Sequence, residues 1–263
     1  MADAIFQVFD GNGNTQIDTN LMTQRLLKSQ TITLQKSFWG NPNAKTQVTV
    51  SGKFPTLFFA DAIGATGSAH SRYRIDRITS VGTGEIKSWT FHLNISSPAL
   101  PSITSYTFRI YIFDALPQAT TTFGLETYDA SSRLTFSSFT PPLNVKATYN
   151  IPEYIEAFQF NCETFKQIDG LNLDNTAVNS SFFRDGFYAS ETTTVYIDVA
   201  QEYMSFANLK YPMSELPTGV SFGLYQTGET INDFGAQEGA TCFGSGVPSI
   251  TLIDVSNFPM PFG

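Results

Sequence analysis

The chain has 263 residues, 41% of them apolar, 14% aromatic and 14% charged, with a formal net charge of −8. Its aromatic content is too high for a disordered chain, and its mass of 29.0 kDa suffices to bury a core without disulfide or metal staples. The 15 Lys and Arg are scattered through an acidic chain, so no nucleic-acid partner is expected.

No apolar run is long enough for a membrane-spanning helix, so no membrane insertion is expected. The stretch from Met1 to Asp10 has no basic region, apolar core or cleavage site, so export by a signal peptide is not expected. Two cysteines, Cys162 and Cys242, form neither a disulfide framework nor a C-x-x-C metal pair. Whether they bridge stays open, although a reducing cytosol disfavours it.

In chain order, strand patterns dominate. Thr31–Leu34, Thr46–Val50, Tyr73–Ile78, Trp89–Ile95 and Tyr106–Phe113 are alternating or rich in β-branched and aromatic residues. In the last of these, Phe108, Ile110 and Ile112 share one face, and Arg109, Tyr111 and Phe113 share the other. The second half offers Ala157–Cys162, Phe187–Ala189, Thr193–Val199, Val220–Tyr225 and Ser249–Val255. Gly, Pro and Asn clusters separate these runs at short intervals, as in a sandwich or barrel. Only Ala200–Leu209 reads as a short helix. The fold class is all-β.

The chain contains an internal repeat. Phe6–Thr19 aligns with Leu125–Ser138 at an offset of 119, placing Phe6 on Leu125, Phe9 on Tyr128, Asp10 on Asp129 and Ile17 on Phe136. Both copies read as strand, polar turn, strand. The Pro- and Thr-rich stretch from Phe113 to Thr122 precedes the second copy, which places a boundary near residue 120. The expectation is two β-sandwich-like domains, 1–120 and 121–263, each opening with a β-hairpin.

Phe6-Gln-Val-Phe-Asp-Gly-Asn-Gly-Asn followed by Ile17-Asp-Thr resembles a motif of small tail-tip and tail-fibre-associated proteins of long-tailed bacteriophages. That motif has the form Gly-Leu-Gln-Val-Phe-Asn/Asp-x-x-Gly, closing on Phe-Asp-Ser. Gly124-Leu-Glu-Thr-Tyr-Asp with Leu134-Thr-Phe-Ser-Ser resembles it a second time. Ala4-Ile5 replaces Gly-Leu in the first copy, and Thr127, Ser132 and Ser137 depart from the pattern in the second. The resemblance implies a structural role in the virion without catalysis, and it supplies no catalytic residues or cofactor.

Several residue groups carry the pattern of sharper chemistry. Asp10, Asn12, Asn14 and Asp18 occupy the first, third, fifth and ninth positions of an EF-hand-like loop. Thr15 stands where that loop needs Gly and Leu21 where it needs a bidentate Glu, so an ordinary tight turn is expected rather than a metal site. Gly67-Ser-Ala-His70 with Asp61 or Asp76 is the best hydrolase constellation, but a Ser and His two residues apart suit a triad poorly. His92 reads as a strand-face residue, and Cys162 gains nothing from either histidine. Glu153 with Glu156, and Glu126 with Asp129, are the acid pairs available for glycoside cleavage. Dense aromatic clusters at Phe38-Trp39, Phe54–Phe59, Phe182-Phe183 and Phe187-Tyr188 read as core or interface. Phe258, Met260 and Phe262 form a terminal run expected to dock on its own domain or a neighbouring subunit, and they are the interface candidates.

The expected function is therefore a non-enzymatic structural component of a phage tail, assembled in the host cytoplasm. Its expected partners are its own copies, as a trimer rather than a hexamer, and other tail proteins. The alternative is a receptor- or carbohydrate-binding virion protein, with a tail-associated polysaccharide hydrolase third.

Overall fold

The computed structural model describes residues 7–9, 15–18, 24–35, 43–64, 72–96, 105–115, 126–128, 134–137, 140–151, 163–181, 183, 185–190, 196–206, 219–232, 239–243 and 248–262. Among them the regular structure is strand throughout, apart from a short 3-10 turn at Leu173–Asn175. The first half supplies β1 (Gln7–Phe9), β2 (Thr15–Asp18), β3 (Arg25–Gln35), β4 (Asn43–Gly52), β5 (Thr56–Asp61), β6 (Arg72–Val81), β7 (Lys87–Ser96) and β8 (Ser105–Asp114). Next come β9 (Glu126–Tyr128), β10 (Leu134–Ser137), β11 (Val145–Asn150), β12 (Glu163–Gln167) and β13 (Thr176–Ser180). The last five are β14 (Asp185–Ser190), β15 (Tyr196–Ser205), β16 (Gly219–Asn232), β17 (Gly239–Phe243) and β18 (Ser249–Asp254). All strand pairs are antiparallel.

Two sheets form the sandwich. One has six strands in the order β11-β18-β13-β5-β8-β3, and the other runs β12-β16-β15-β6-β7-β4 with β14 and β17 attached beside β15. The halves of this order are copies of one another. Strands β3 to β8 alternate between the sheets in the same sequence as β11, β12, β13, β15, β16 and β18, a winding of jelly-roll type with six strands instead of eight. Among the described residues, β14 and β17 have no counterpart in the first copy.

Register makes the duplication explicit. Hairpin β1–β2 pairs Gln7 with Asp18, Val8 with Ile17 and Phe9 with Thr15, and hairpin β9–β10 pairs Glu126 with Ser137, Thr127 with Phe136 and Tyr128 with Leu134. Every partner is shifted by 119, and the irregularity in the ladder falls at the same place. Strand β3 carries a bulge between Leu26 and Lys28, and β11 carries its own between Val145 and Ala147, again 119 residues on. Two of the seams between the copies obey the same spacing. Phe59 of β5 lies opposite Val178 of β13, and Gln24 accepts from the N–H of Leu143. Each pair is a residue facing its own repeat, as a twofold pseudo-axis through both seams requires.

The second seam also curls the sheet. Segment 141–143 pairs with the start of β3, Leu26 N–H donating to Pro141 O at 2.9 Å, and Asn144 already accepts from Asp254 of β18. Strands β3 and β11 are opposite edges of this sheet, ~24 Å apart if it were flat, and two residues reach only ~7 Å. The sheet must therefore bend until its edges meet.

The main core lies between the sheets and draws on both copies. Phe59, Phe108, Ile110 and Val48 from the first meet Val178, Met204, Phe222 and Leu252 from the second. Phe59 stacks on Tyr73 at 5.0 Å, and Tyr73 meets Phe206 edge-on at 6.2 Å. Across the β5–β13 and β6–β15 seams only three residue pairs are in register. Each hydrogen bond there contributes about 1 kcal/mol net, while each buried aromatic or aliphatic side chain contributes about 1.5–3 kcal/mol. The join is thus chiefly apolar. The halves 1–120 and 121–263 lie edge to edge in the same two sheets and both contribute to the main core. The helix expected at Ala200–Leu209 is corrected. Its residues through Ser205 belong to β15, where Met204 pairs with Tyr73 on one side and Phe222 on the other, and this tertiary pairing outweighs local propensity.

Candidate functional site

The six-stranded sheet buries both faces. Phe108, Ile110 and Ile112 of β8 enter the main core, and Tyr111 and Phe113 enter a second, smaller one with Leu26, Phe58, Ala177 and Ile253. The C-terminal run closes that second core like a strap. Phe258 lies 6.0 Å from the Tyr111 ring and 5.4 Å from that of Phe113. Phe262 exchanges two backbone hydrogen bonds with Ser29 of β3, at 2.9 and 3.0 Å, and the Ser29 hydroxyl donates to Pro259 O at 2.5 Å. Phe258, Met260 and Phe262 are thereby half-buried against their own chain.

Arg109 sits on this face with 5% of its surface exposed. Its Nε donates to Asp61 O at 2.7 Å, one terminal nitrogen to the Tyr111 hydroxyl at 3.2 Å, and the other to Asp174 O at 2.8 Å. All three acceptors are neutral, and a guanidinium has five N–H groups, so one remains on each terminal nitrogen. Burial pushes the Tyr111 hydroxyl pKa up, and the charge and hydrogen bond of Arg109 oppose that rise. Asn172 caps the turn that carries Asp174, accepting from the Asp174 N–H at 3.0 Å, and the Asp174 carboxylate accepts from Gly64 N–H at 2.7 Å.

A pocket of about 350 Å³ opens where the strap, this turn and β8 converge. Phe258 and Met260 contribute apolar surface to its lining, and Thr31, Thr107, Arg109 and Asp174 contribute polar groups. Its volume falls at the low end of the range of small-ligand sites, which begins at about 300 Å³.

Of the residues singled out from the sequence, Phe258 and Met260 line this pocket and the proposed chemical residues lie elsewhere. Asp10, Asn12 and Asn14 fall outside the described residues, and Asp18 ends β2 opposite Gln7. Gly67–His70, Glu153, Glu156, Asp129 and Cys162 are likewise outside them, while Cys242 faces Gly186 in the β14–β17 ladder. Asp61 is buried and accepts from the Tyr73 hydroxyl, and Asp76 accepts from Arg74 Nε at 3.0 Å. His92 stands on β7 with Nε2 3.3 Å from the Thr79 hydroxyl, and Glu126 accepts from the Tyr128 hydroxyl at 2.5 Å. Among the described residues no three His, Cys, Asp or Glu converge on a position for a metal ion. The aromatic cluster Phe54–Phe59 divides: Phe58 enters the small core, Phe59 the main one, and Phe54 stays 64% exposed beside Trp89.

Sequence reasoning placed Arg109 on the correct face of β8 but gave it no role. Its pocket partner Asp174 comes from a turn 65 positions later, and nothing local links the two. A second feature missed was the apolar tip of hairpin β6–β7, where Ile78, Val81 and Ile86 are all exposed. No family model, curated protein or solved structure matches the chain.

Proposed function

We propose that the protein is a non-enzymatic structural component of a bacteriophage virion, a tail-tip or tail-fibre-associated part that acts in tail assembly. The observation that carries this reading is the repeated hairpin. The segments that resemble the phage-tail motif recur 119 residues apart in one register, and among the described residues each pairs as a two-stranded sheet of its own. A two-stranded hairpin is marginal by itself in water, so two such separate hairpins suit contacts with neighbouring proteins. The exposed tip of β6–β7 adds apolar surface for the same purpose, with Val81 at 75% and Ile86 at 60% exposure. The buried acids support a structural role as well, since Asp61 and Asp114 are engaged by a tyrosine hydroxyl and backbone N–H groups.

In this reading each copy buries more than about 1,000 Å² against its neighbours, as a specific interface needs, and the purified protein is a trimer. Two measurements test it: the solution mass of the purified protein, and its position in an imaged particle after labelling. A trimer found at the tail supports the reading, and a stable monomer absent from purified particles overturns it. The pocket beside Arg109 favours a second reading, a virion protein that binds carbohydrate.

A further inference from the structure

We infer that the pocket formed by β8, the Leu173–Asn175 turn and the C-terminal strap binds an uncharged pyranose residue of a glycan. The inference concerns this site alone and does not depend on where the protein resides. A pyranose ring has an apolar C–H face and an edge of hydroxyls that each donate and accept. The pocket lining offers both kinds of surface. Phe258 and Met260 present apolar surface, and Thr31, Thr107, Arg109 and Asp174 present hydrogen-bonding groups.

The polar groups supply both senses of hydrogen bond. Arg109 retains an N–H on each terminal nitrogen after its three intramolecular bonds. Asp174 has one carboxylate oxygen committed to Gly64 N–H, which leaves the second to accept. A donor fork beside an acceptor suits two neighbouring hydroxyls on one ring. The charges also decide the ligand class. One cation and one carboxylate balance inside the pocket, and the chain as a whole carries −8. An anionic sugar would meet both Asp174 and that background, so an uncharged ring is favoured. Preorganisation strengthens the site. Arg109 is fixed by three bonds and Phe258 by ring contacts with Tyr111 and Phe113, so little side-chain freedom is lost on binding.

The test uses the full chain and a panel of methyl pyranosides: glucoside, galactoside, mannoside and N-acetylglucosaminide, with glucuronate as the charged control. Binding is read by saturation-transfer NMR and quantified by titration. At least one uncharged pyranoside should bind in the millimolar range or tighter, and glucuronate should bind at least tenfold more weakly. Thr31→Trp fills the pocket from an exposed strand position and should abolish the signal. Asp174→Ala, on the half-buried turn, should weaken binding at least tenfold, with the thermal melt of each variant confirming the fold. The inference is overturned if no uncharged pyranoside binds, if glucuronate binds as well as or better than the uncharged sugars, or if binding survives both substitutions unchanged.

Discussion

A Cβ on Gly52 would collide with the Asp114 carboxylate. That carboxylate accepts from the backbone N–H groups of Lys53 at 2.6 Å, Phe54 at 3.1 Å and Ala115 at 2.6 Å, and it ties the β4–β5 turn to the end of β8. Hydrogen bonds to a buried charge are each worth about 1.5–3 kcal/mol. Gly52→Ala should therefore cost about 2–3 kcal/mol by pushing the carboxylate off its donors. Urea unfolding should show a lowered midpoint with an unchanged slope, and a midpoint equal to wild type would remove this role from Asp114. Asp254 ends β18 as Asp114 ends β8, but in a more open setting. Hydrogen bonds from the Ser256 side chain and backbone hold its pKa below the usual 3.8, with Lys146 at 3.2 Å assisting. A depressed carboxylate pKa stabilises the fold above the unfolded value, and that stability is lost as pH falls through the folded value. The stability gap between wild type and Asp254→Asn should accordingly be constant near neutrality and close below about pH 3.8. Thermal melts across that range check it, and a gap that persists at pH 2 would contradict it.

At the scale of elements, the strap shows what one half-buried aromatic contributes. Phe258 covers Tyr111 and Phe113 and also walls the pocket. Fully buried Phe→Ala changes cost about 3–5 kcal/mol, so Phe258→Ala should cost about 1.5–3 kcal/mol and expose the small core to a hydrophobic dye. An unchanged melt without dye binding would mean that the strap is not part of the core. The elements also mark how far the sequence could be read. Strand β8 was legible on both faces because its two alternating sets, Phe108/Ile110/Ile112 and Tyr111/Phe113, are both apolar, and each found its own core. The hairpin repeat was legible because turn chemistry is local. The Ala200–Leu209 segment misled because Ala200, Gln201, Glu202 and Met204 are good helix residues, and only Met204 in the core and its cross-strand partners select the strand. The pocket was illegible because Arg109, Asp174 and Phe258 meet only after the six-stranded sheet has curled and the chain end has crossed it.

Over the whole molecule, duplication and fusion give the fold its character. Two copies of a six-stranded winding meet at seams where Phe59 faces Val178 and Gln24 faces Leu143. The β5–β13 and β6–β15 seams could not be anticipated from periodicity, since only three residue pairs are in register across them. A main core drawing on both copies joins them into one packed unit. Most directly at issue is whether the copies unfold together, and differential scanning calorimetry of the full chain answers it. One transition is predicted, with equal calorimetric and van 't Hoff enthalpies and a total on the order of 180 kcal/mol near 60 °C for a chain of this length. Two resolved transitions, or a van 't Hoff enthalpy near half the calorimetric value, would mean that each copy folds alone and would contradict the shared core.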